Sequence, residues 1–189
     1  MFKRSQSGRI YCLFWKRVMT PIFDLRGNII AFGGRVMDDS KPKYVNSPET
    51  LVYHKSETVF AMQIAKRSAS RRFVLCEGYM DVISMQQAGI DTAVCACGTA
   101  LTPGQVRIIS EYADEVILSY DSDEAGQKAT LRSLELFRNS PVKVGVFADS
   151  RRKGPGRIHQ KIRPGAFSGT SGRGGQCAGL PAQAPARPV

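Results

Sequence analysis

From Arg71 to Val144 the sequence repeats one unit, a short apolar run followed by a helical stretch. The runs are Phe73-Val74-Leu75-Cys76, Thr92–Ala96 and Val116-Ile117-Leu118-Ser119-Tyr120, and Val142-Lys143-Val144 opens a fourth. The spacing predicts helices over about 80–88, from Pro103 onward, and over about 124–138. Gly89 fits the left-handed position after the first helix. Thr102-Pro103 reads as an N-cap followed by proline in the first turn of the second. That helix shows Val106, Ile109 and Tyr112 or Ala113 on one face. The third shows Ala129, Leu131 or Arg132, Leu134 and Phe137. Short β-α links of this kind build a parallel sheet with right-handed crossovers and helices on its faces.

Two acidic motifs follow two of these runs, Glu77-Gly78-Tyr79-Met80-Asp81 and Asp121-Ser122-Asp123. Strands of a parallel sheet end at a common edge, where open α/β sheets bind ligands. Carboxylates gathered there suit Mg²⁺, and Mg²⁺ held by carboxylates suits phosphoryl transfer. A two-residue period at a strand end would put Asp121 and Asp123 on one side of the backbone. Each motif also has a plainer reading. Asp121 and Asp123 can form a turn and a helix N-cap before Glu124, and Glu77 can be a surface acid.

Charge narrows the partners. The net charge is +11, but residues 150–189 hold 8 of the 27 Lys and Arg and none of the 16 Asp and Glu. The remaining body has 19 basic residues against 16 acidic, or +3. Nucleic-acid binding must therefore rest on local basic clusters in the body. The five cysteines form no CxxC pair, and His54 and His159 are too scattered for a zinc site. Buried thiols in a reducing cytoplasm are the expectation. No apolar run reaches membrane-spanning length, and no signal segment is visible, so a cytoplasmic protein is expected.

Upstream, Val18–Phe23 and Ile29–Phe32 read as two strands joined by the turn Asp24-Leu25-Arg26-Gly27-Asn28. Gly33-Gly34 permits a bulge or a close backbone approach. Residues 38–50 read as a polar loop, and residues 57–68 as helical. Trp15 sits among cations and could stack on a base, but burial of its ring is the expectation. Residues 150–189 contain 13 Gly or Pro and no periodicity, a composition that predicts disorder.

These residues resemble the catalytic core of bacterial replicative DNA primase. The matching stretches are Arg17-Val18-Met19 with Pro21-Ile22, Ile30-Ala31-Phe32-Gly33-Gly34-Arg35, and Pro42-Lys43-Tyr44-Val45-Asn46-Ser47-Pro48-Glu49-Thr50. They continue with Glu77–Val82, Gly98-Thr99-Ala100-Leu101-Thr102 and Tyr120-Asp121-Ser122-Asp123-Glu124-Ala125-Gly126. The resemblance spans about Gly8 to Val144. It implies an α/β fold, a Toprim-type parallel sheet with flanking helices, preceded by part of a β-rich basic subdomain. The expected division is 1–70 for the partial basic subdomain, 71–148 for the Toprim domain and 149–189 for a disordered tail.

The resemblance further implies synthesis of short RNA primers from NTPs on a single-stranded DNA template. Glu77, Asp121 and Asp123 would be catalytic. Glu77, Asp81, Asp121 and Asp123 would hold Mg²⁺ or Mn²⁺, with no zinc in this chain. Arg17, Arg35, Lys43, Tyr44 and Asn46 would contact nucleotide or template. A replicative helicase is the family's partner, and its binding domain is expected to be absent here. The alternatives are a non-catalytic single-stranded nucleic-acid-binding module and another Toprim activity such as nicking.

Three departures from the family stand out. A core without a preceding zinc module is the expectation. Leu13 and Trp15 occupy positions where the family has arginines, which weakens phosphate contacts. Ser150–Arg157 stands where the family has Lys-Asp-Pro-Asp. Ser150–Pro164 can be written in permitted codons whose reading from the second base gives Pro-Gly-Gly-Lys-Asp-Pro-Asp-Glu-Phe-Ile-Lys-Lys-Phe-Gly. The tail therefore reads as a frameshifted translation, with the shift near Val144–Asp149, and a genuine basic arm as the alternative. Loss of those acids predicts weak cation binding and poor primer synthesis.

Overall fold

The computed structural model of the chain describes residues 2–98 and 100–147, so the expected disordered tail at 149–189 lies outside the described residues. A short antiparallel hairpin comes first, β1 (Phe2–Arg4) with β2 (Ile10–Cys12). Next is an antiparallel sheet of β3 (Arg17–Phe23), β4 (Ile29–Val36) and β5 (Tyr44–Asn46). The β3–β4 turn forms as expected. The Asp24 carboxylate accepts from the backbone N–H groups of Arg26 and Asn28, and Gly27 takes a φ of +96°.

β4 continues straight through Gly33-Gly34, and the register shift lies at Ile22/Phe23 instead. Gly33 and Arg35 pair with Asn46 and Tyr44. The polar segment 38–50 therefore contains a strand, β5. Its local composition hid this, because β5 is supported by β4 and not by its own apolar pattern.

The second large sheet has the order β10-β9-β7-β8-β6. Its strands are β6 (Val59–Phe60), β7 (Arg72–Cys76), β8 (Ala93–Ala96), β9 (Glu115–Ser119) and β10 (Lys143–Val146). The helices are α1 (Met62–Ala65), α2 (Tyr79–Gln87), α3 (Pro103–Tyr112) and α4 (Glu124–Phe137). β7, β8, β9 and β10 are parallel, and β6 is an antiparallel edge on β8. The helix expected over 57–68 is thus only partly present. Val59 and Phe60 are strand formers paired to Ala96 and Cys95, and Ala61 at φ 64° breaks the chain direction before α1.

Alternation along the strands makes two cores. Phe73, Leu75, Val94, Val116 and Leu118 face one side, under Val106 and Ile109 of α3 and Phe137 of α4. Cys76, Ala93 and Cys95 face the other, under Tyr79 and Val82 of α2, with Ile22 and Ala31 of the antiparallel sheet. Burying each large side chain contributes about 1.5–3 kcal/mol. α3 starts where expected. The Thr102 hydroxyl accepts from the Gln105 N–H, and the Gln105 side chain returns a bond from the Thr102 N–H.

α4 departs from its expected face. Its buried residues are Gly126, Thr130, Ser133 and Phe137, and Leu131 points to solvent. Small hydroxyl side chains face inward because they have partners. Thr130 Oγ1 donates to the Gly126 carbonyl, and Ser133 Oγ bonds the Tyr120 hydroxyl. Apolar periodicity does not register such contacts.

Candidate active-site edge and nucleic-acid face

The connection from β7 runs through α2 to β8 on one side, and that from β9 runs through α4 to β10 on the other. Adjacent strands whose connections leave in opposite directions open a crevice at their C-terminal ends. Cys76 and Ser119 are register partners, so the two strands end level. Glu77 follows β7 directly and Asp121 follows β9 by two residues. The Asp121 N–H donates to Glu77 Oε2 at 3.3 Å, joining the two acidic motifs. Glu77, Asp81, Asp121 and Asp123 are all exposed.

Strand pairing stops at Ser119, so the two-residue period expected for Asp121 and Asp123 does not extend to them. Their placement comes from α4. Asp123 caps that helix, with Oδ1 accepting from the Gly126 N–H at 2.7 Å. A Cβ on Gly126 would run into the Asp121 carbonyl, so the turn is built around a glycine. Asp81 Oδ2 accepts from the Gly78 N–H at 3.1 Å and closes the first turn of α2. Asp81 and Asp123 thus each use one carboxylate oxygen on their own helix.

The donor set at this edge is all oxygen and open to solvent. Among the described residues no three His, Cys, Asp or Glu side chains gather into a ready cage. That arrangement fits a hard cation such as Mg²⁺, which keeps water and takes one or two carboxylates with the rest from substrate phosphates.

The basic side chains lie on the antiparallel sheet. Arg35 is half-buried, its Nε donating to the Tyr44 hydroxyl at 3.1 Å and its guanidinium 5.8 Å from the Tyr44 ring centre. Arg17 is turned to the backbone, donating to the carbonyls of Gly34, Lys43 and Pro42. Lys43 is exposed, and its ammonium enters no hydrogen bond or ion pair among the described residues. Trp15 is 71% exposed, contrary to the expected burial. Phe14 takes the inward place, and a Cβ on Gly34 would meet its ring at 2.7 Å.

Asn46 lies at the junction of the two large sheets. Its Oδ1 accepts from the Tyr79 hydroxyl at 2.6 Å and its Nδ2 donates to the Cys97 carbonyl at 2.9 Å. The Tyr79 ring packs over Gly33, where a Cβ would meet Cε2 at 2.6 Å. The same ring meets Tyr44 edge-on at 6.3 Å. Tyr79 belongs to the first acidic motif, so it ties the acidic edge to the basic face through Tyr44 and Arg35. Sequence reasoning quoted Tyr79 within its motif but gave it no task. The glycine pair in β4 was the available signal of a close neighbour.

Beneath α2 three thiols are shut away from solvent. Burial pushes Cys76 and Cys97 up to about 12, and Cys95 is raised as well. Burial also raises Tyr79 and Tyr120. No helix among the described residues is long and apolar enough to cross a membrane.

Comparison with known proteins agrees with this arrangement. Residues 1–66 match the family model of the DNA primase catalytic core, N-terminal domain, and residues 74–153 match a Toprim-like family. The DNA primase of Clostridium acetobutylicum is 42% identical over 164 residues, covering 86% of this chain and 28% of that protein. The Haemophilus influenzae DNA primase is 43% identical over 137 residues, covering 71% of this chain and 23% of that protein. The chain thus spans well under a third of either relative. A solved DNA primase domain from Pseudomonas aeruginosa superposes with a TM-score of 0.71 at 40% identity, covering 77% of this chain and 47% of that one. A DnaG primase catalytic domain solved with single-stranded DNA gives a TM-score of 0.67 at 40% identity, over 72% of this chain and 43% of that one. With both domains matched in order, and with the acidic edge and basic face joined in one fold, this chain belongs to the bacterial DNA primase catalytic-core family.

Proposed function

We propose that the chain carries the nucleotidyl-transfer core of a primase, which copies single-stranded DNA into short RNA primers from NTPs in the cytoplasm. The supporting observation is the bond that joins the Asp121 backbone to Glu77 at the switch point of the parallel sheet. In this reading residues 1–70 are the basic subdomain and 71–148 the Toprim domain.

Glu77, Asp121 and Asp123 act at the reacting phosphate, and Asp81 supports the same edge. They would hold Mg²⁺ or Mn²⁺, which lowers the pKa of the attacking hydroxyl and neutralises the pyrophosphate. Glu77 keeps Oε1 available while Oε2 is held by Asp121, so it can accept a proton or a ligand in a fixed orientation. Lys43 and Arg35 supply cations for the triphosphate or template, and Tyr44 orients Arg35. Arg17 and Asn46 serve that face indirectly, by holding β5 in place.

The test is primer synthesis by the full chain on single-stranded DNA with NTPs and Mg²⁺ or Mn²⁺, beside a version whose frame is restored near codons 144–149. We expect little product from the chain as given and a clear product from the restored frame. Asp121→Ala in the restored version should lower synthesis at least about a hundred-fold and leave oligonucleotide binding intact. Binding without any metal-dependent product in either version would favour the non-catalytic binding module.

A further inference from the structure

We propose that Trp15 is a stacking platform for one base of a single-stranded nucleic acid. The inference deepens the template-binding reading above and rests on it. Trp15 is the only tryptophan in the chain, and 71% of its surface is open. Its position is fixed. It occupies the turn between β2 and β3, with Phe14 before it packed against Gly34 and Lys16 after it at a φ of 52°. The Arg17 guanidinium binds the carbonyls of Pro42 and Lys43, which holds the Lys43 segment beside the same turn. Tyr11 and Ile10 on β2 are exposed as well, at 46% and 60%.

The charge around this turn is of one sign in sequence, although in space Asp38 lies near enough to Lys16 for that ammonium to add to the Ser40 hydrogen bonds in lowering its pKa. Residues 1–23 contain Lys3, Arg4, Arg9, Lys16 and Arg17 and no Asp or Glu. An open aromatic face beside cations matches a chain of alternating bases and phosphates. The ring takes an unstacked base, and the cations take the backbone. A duplex offers no free base face to the ring.

The experiment uses the full chain and its one indole as the reporter. Oligo-dT is titrated while Trp15 emission is followed, with anisotropy of a labelled copy measured in parallel. We expect the emission to be quenched along the same isotherm as the anisotropy. Trp15→Ala should weaken oligo-dT binding about ten-fold, with Trp15→Phe between it and the parent. The slope of log K against log salt should be unchanged in Trp15→Ala, because no phosphate contact is lost. An abasic strand of equal charge should bind the parent and Trp15→Ala equally.

Binding with unchanged emission, or an unchanged affinity in Trp15→Ala, would overturn the proposal and leave the template-binding reading in place. An emission change on anionic lipid vesicles with none on oligo-dT would overturn it in favour of a membrane surface. Absence of any oligonucleotide binding would overturn both. Quenching and base-dependent binding with no primer synthesis from the frame-restored version would uphold the stacking site and remove the catalytic reading.

Discussion

The two large sheets carry their polar side chains in opposite ways. In the parallel sheet Glu77 and Asp121 stand beyond strand ends, exposed and bonded to one another through a single backbone N–H. In the antiparallel sheet Arg17, Arg35 and Asn46 stand within or beside strands and direct their donors to Gly34, Tyr44 and Cys97. A side chain past a strand end has the crevice to itself. A side chain inside a sheet first meets the demands of its neighbours. A basic residue on a strand is therefore weaker evidence of a free cation than an acidic residue at a strand end is of a free ligand.

Substitutions at three levels can break this contrast. The largest effect is expected at Gly126, where a Cβ meets the Asp121 backbone and not a yielding side chain. Gly126→Ala should cost about 3 kcal/mol in urea unfolding and displace Asp121. A neutral result would mean that the acidic edge is not rigid. Gly33→Ala should cost about 2 kcal/mol, because the Tyr79 ring can give way in part. Pairing it with Tyr79→Leu should recover some of the loss, and strict additivity would show that the junction does not couple the sheets.

Asn46→Ala and Lys43→Ala then separate the two kinds of polar residue. Asn46→Ala should lose about 1–3 kcal/mol of stability, since it leaves the Cys97 carbonyl and the Tyr79 hydroxyl without their partner. Lys43→Ala should stay within about 0.5 kcal/mol in melting but lower the salt slope of oligonucleotide binding by about 0.7. Equal behaviour of the two would erase the contrast.

The effect that vanishes at neutral pH, and shows only in alkali, belongs to the buried thiols. Cys76 and Cys97 titrate near 12 when folded against 9.0 when free. Above pH 9 the unfolded chain loses these protons while the native one keeps them. Stability is then lost as pH rises from 9 toward 12, by up to about 1.4 kcal/mol per pH unit for each thiol. Alkaline denaturation should flatten in Cys76→Ala, and an unchanged slope would place the linkage elsewhere.

Most of the parallel sheet was legible because its strands are continuous apolar runs and its helices carry their own start and stop residues. Thr102, Pro103 and Gly89 behave as local chemistry dictates. The misreadings share one cause, contacts made far away in sequence. β5 exists because β4 pairs with it, and Val59-Phe60 is extended because β8 is there to receive it. Trp15 is exposed because Phe14 holds the place over Gly34. At the candidate site, the placement of Glu77 and Asp121 just past neighbouring strand ends was legible from position alone. The Tyr79–Asn46 link was not, since the two residues lie 33 positions apart and neither is unusual in its own segment.

Asp123 carries a lesson for genetics. One of its oxygens closes the first turn of α4, and the side chain is otherwise open to solvent. A change to alanine would remove charge and loosen the helix at once, so under the role proposed for Asp123 the resulting phenotype would mix a chemical defect with a folding defect. Asparagine and serine keep an acceptor for the Gly126 N–H while discarding the charge. An allelic series at this codon in the frame-restored version, read for abundance and for the proposed primer formation in the same cells, would therefore sort the two contributions without a purified protein.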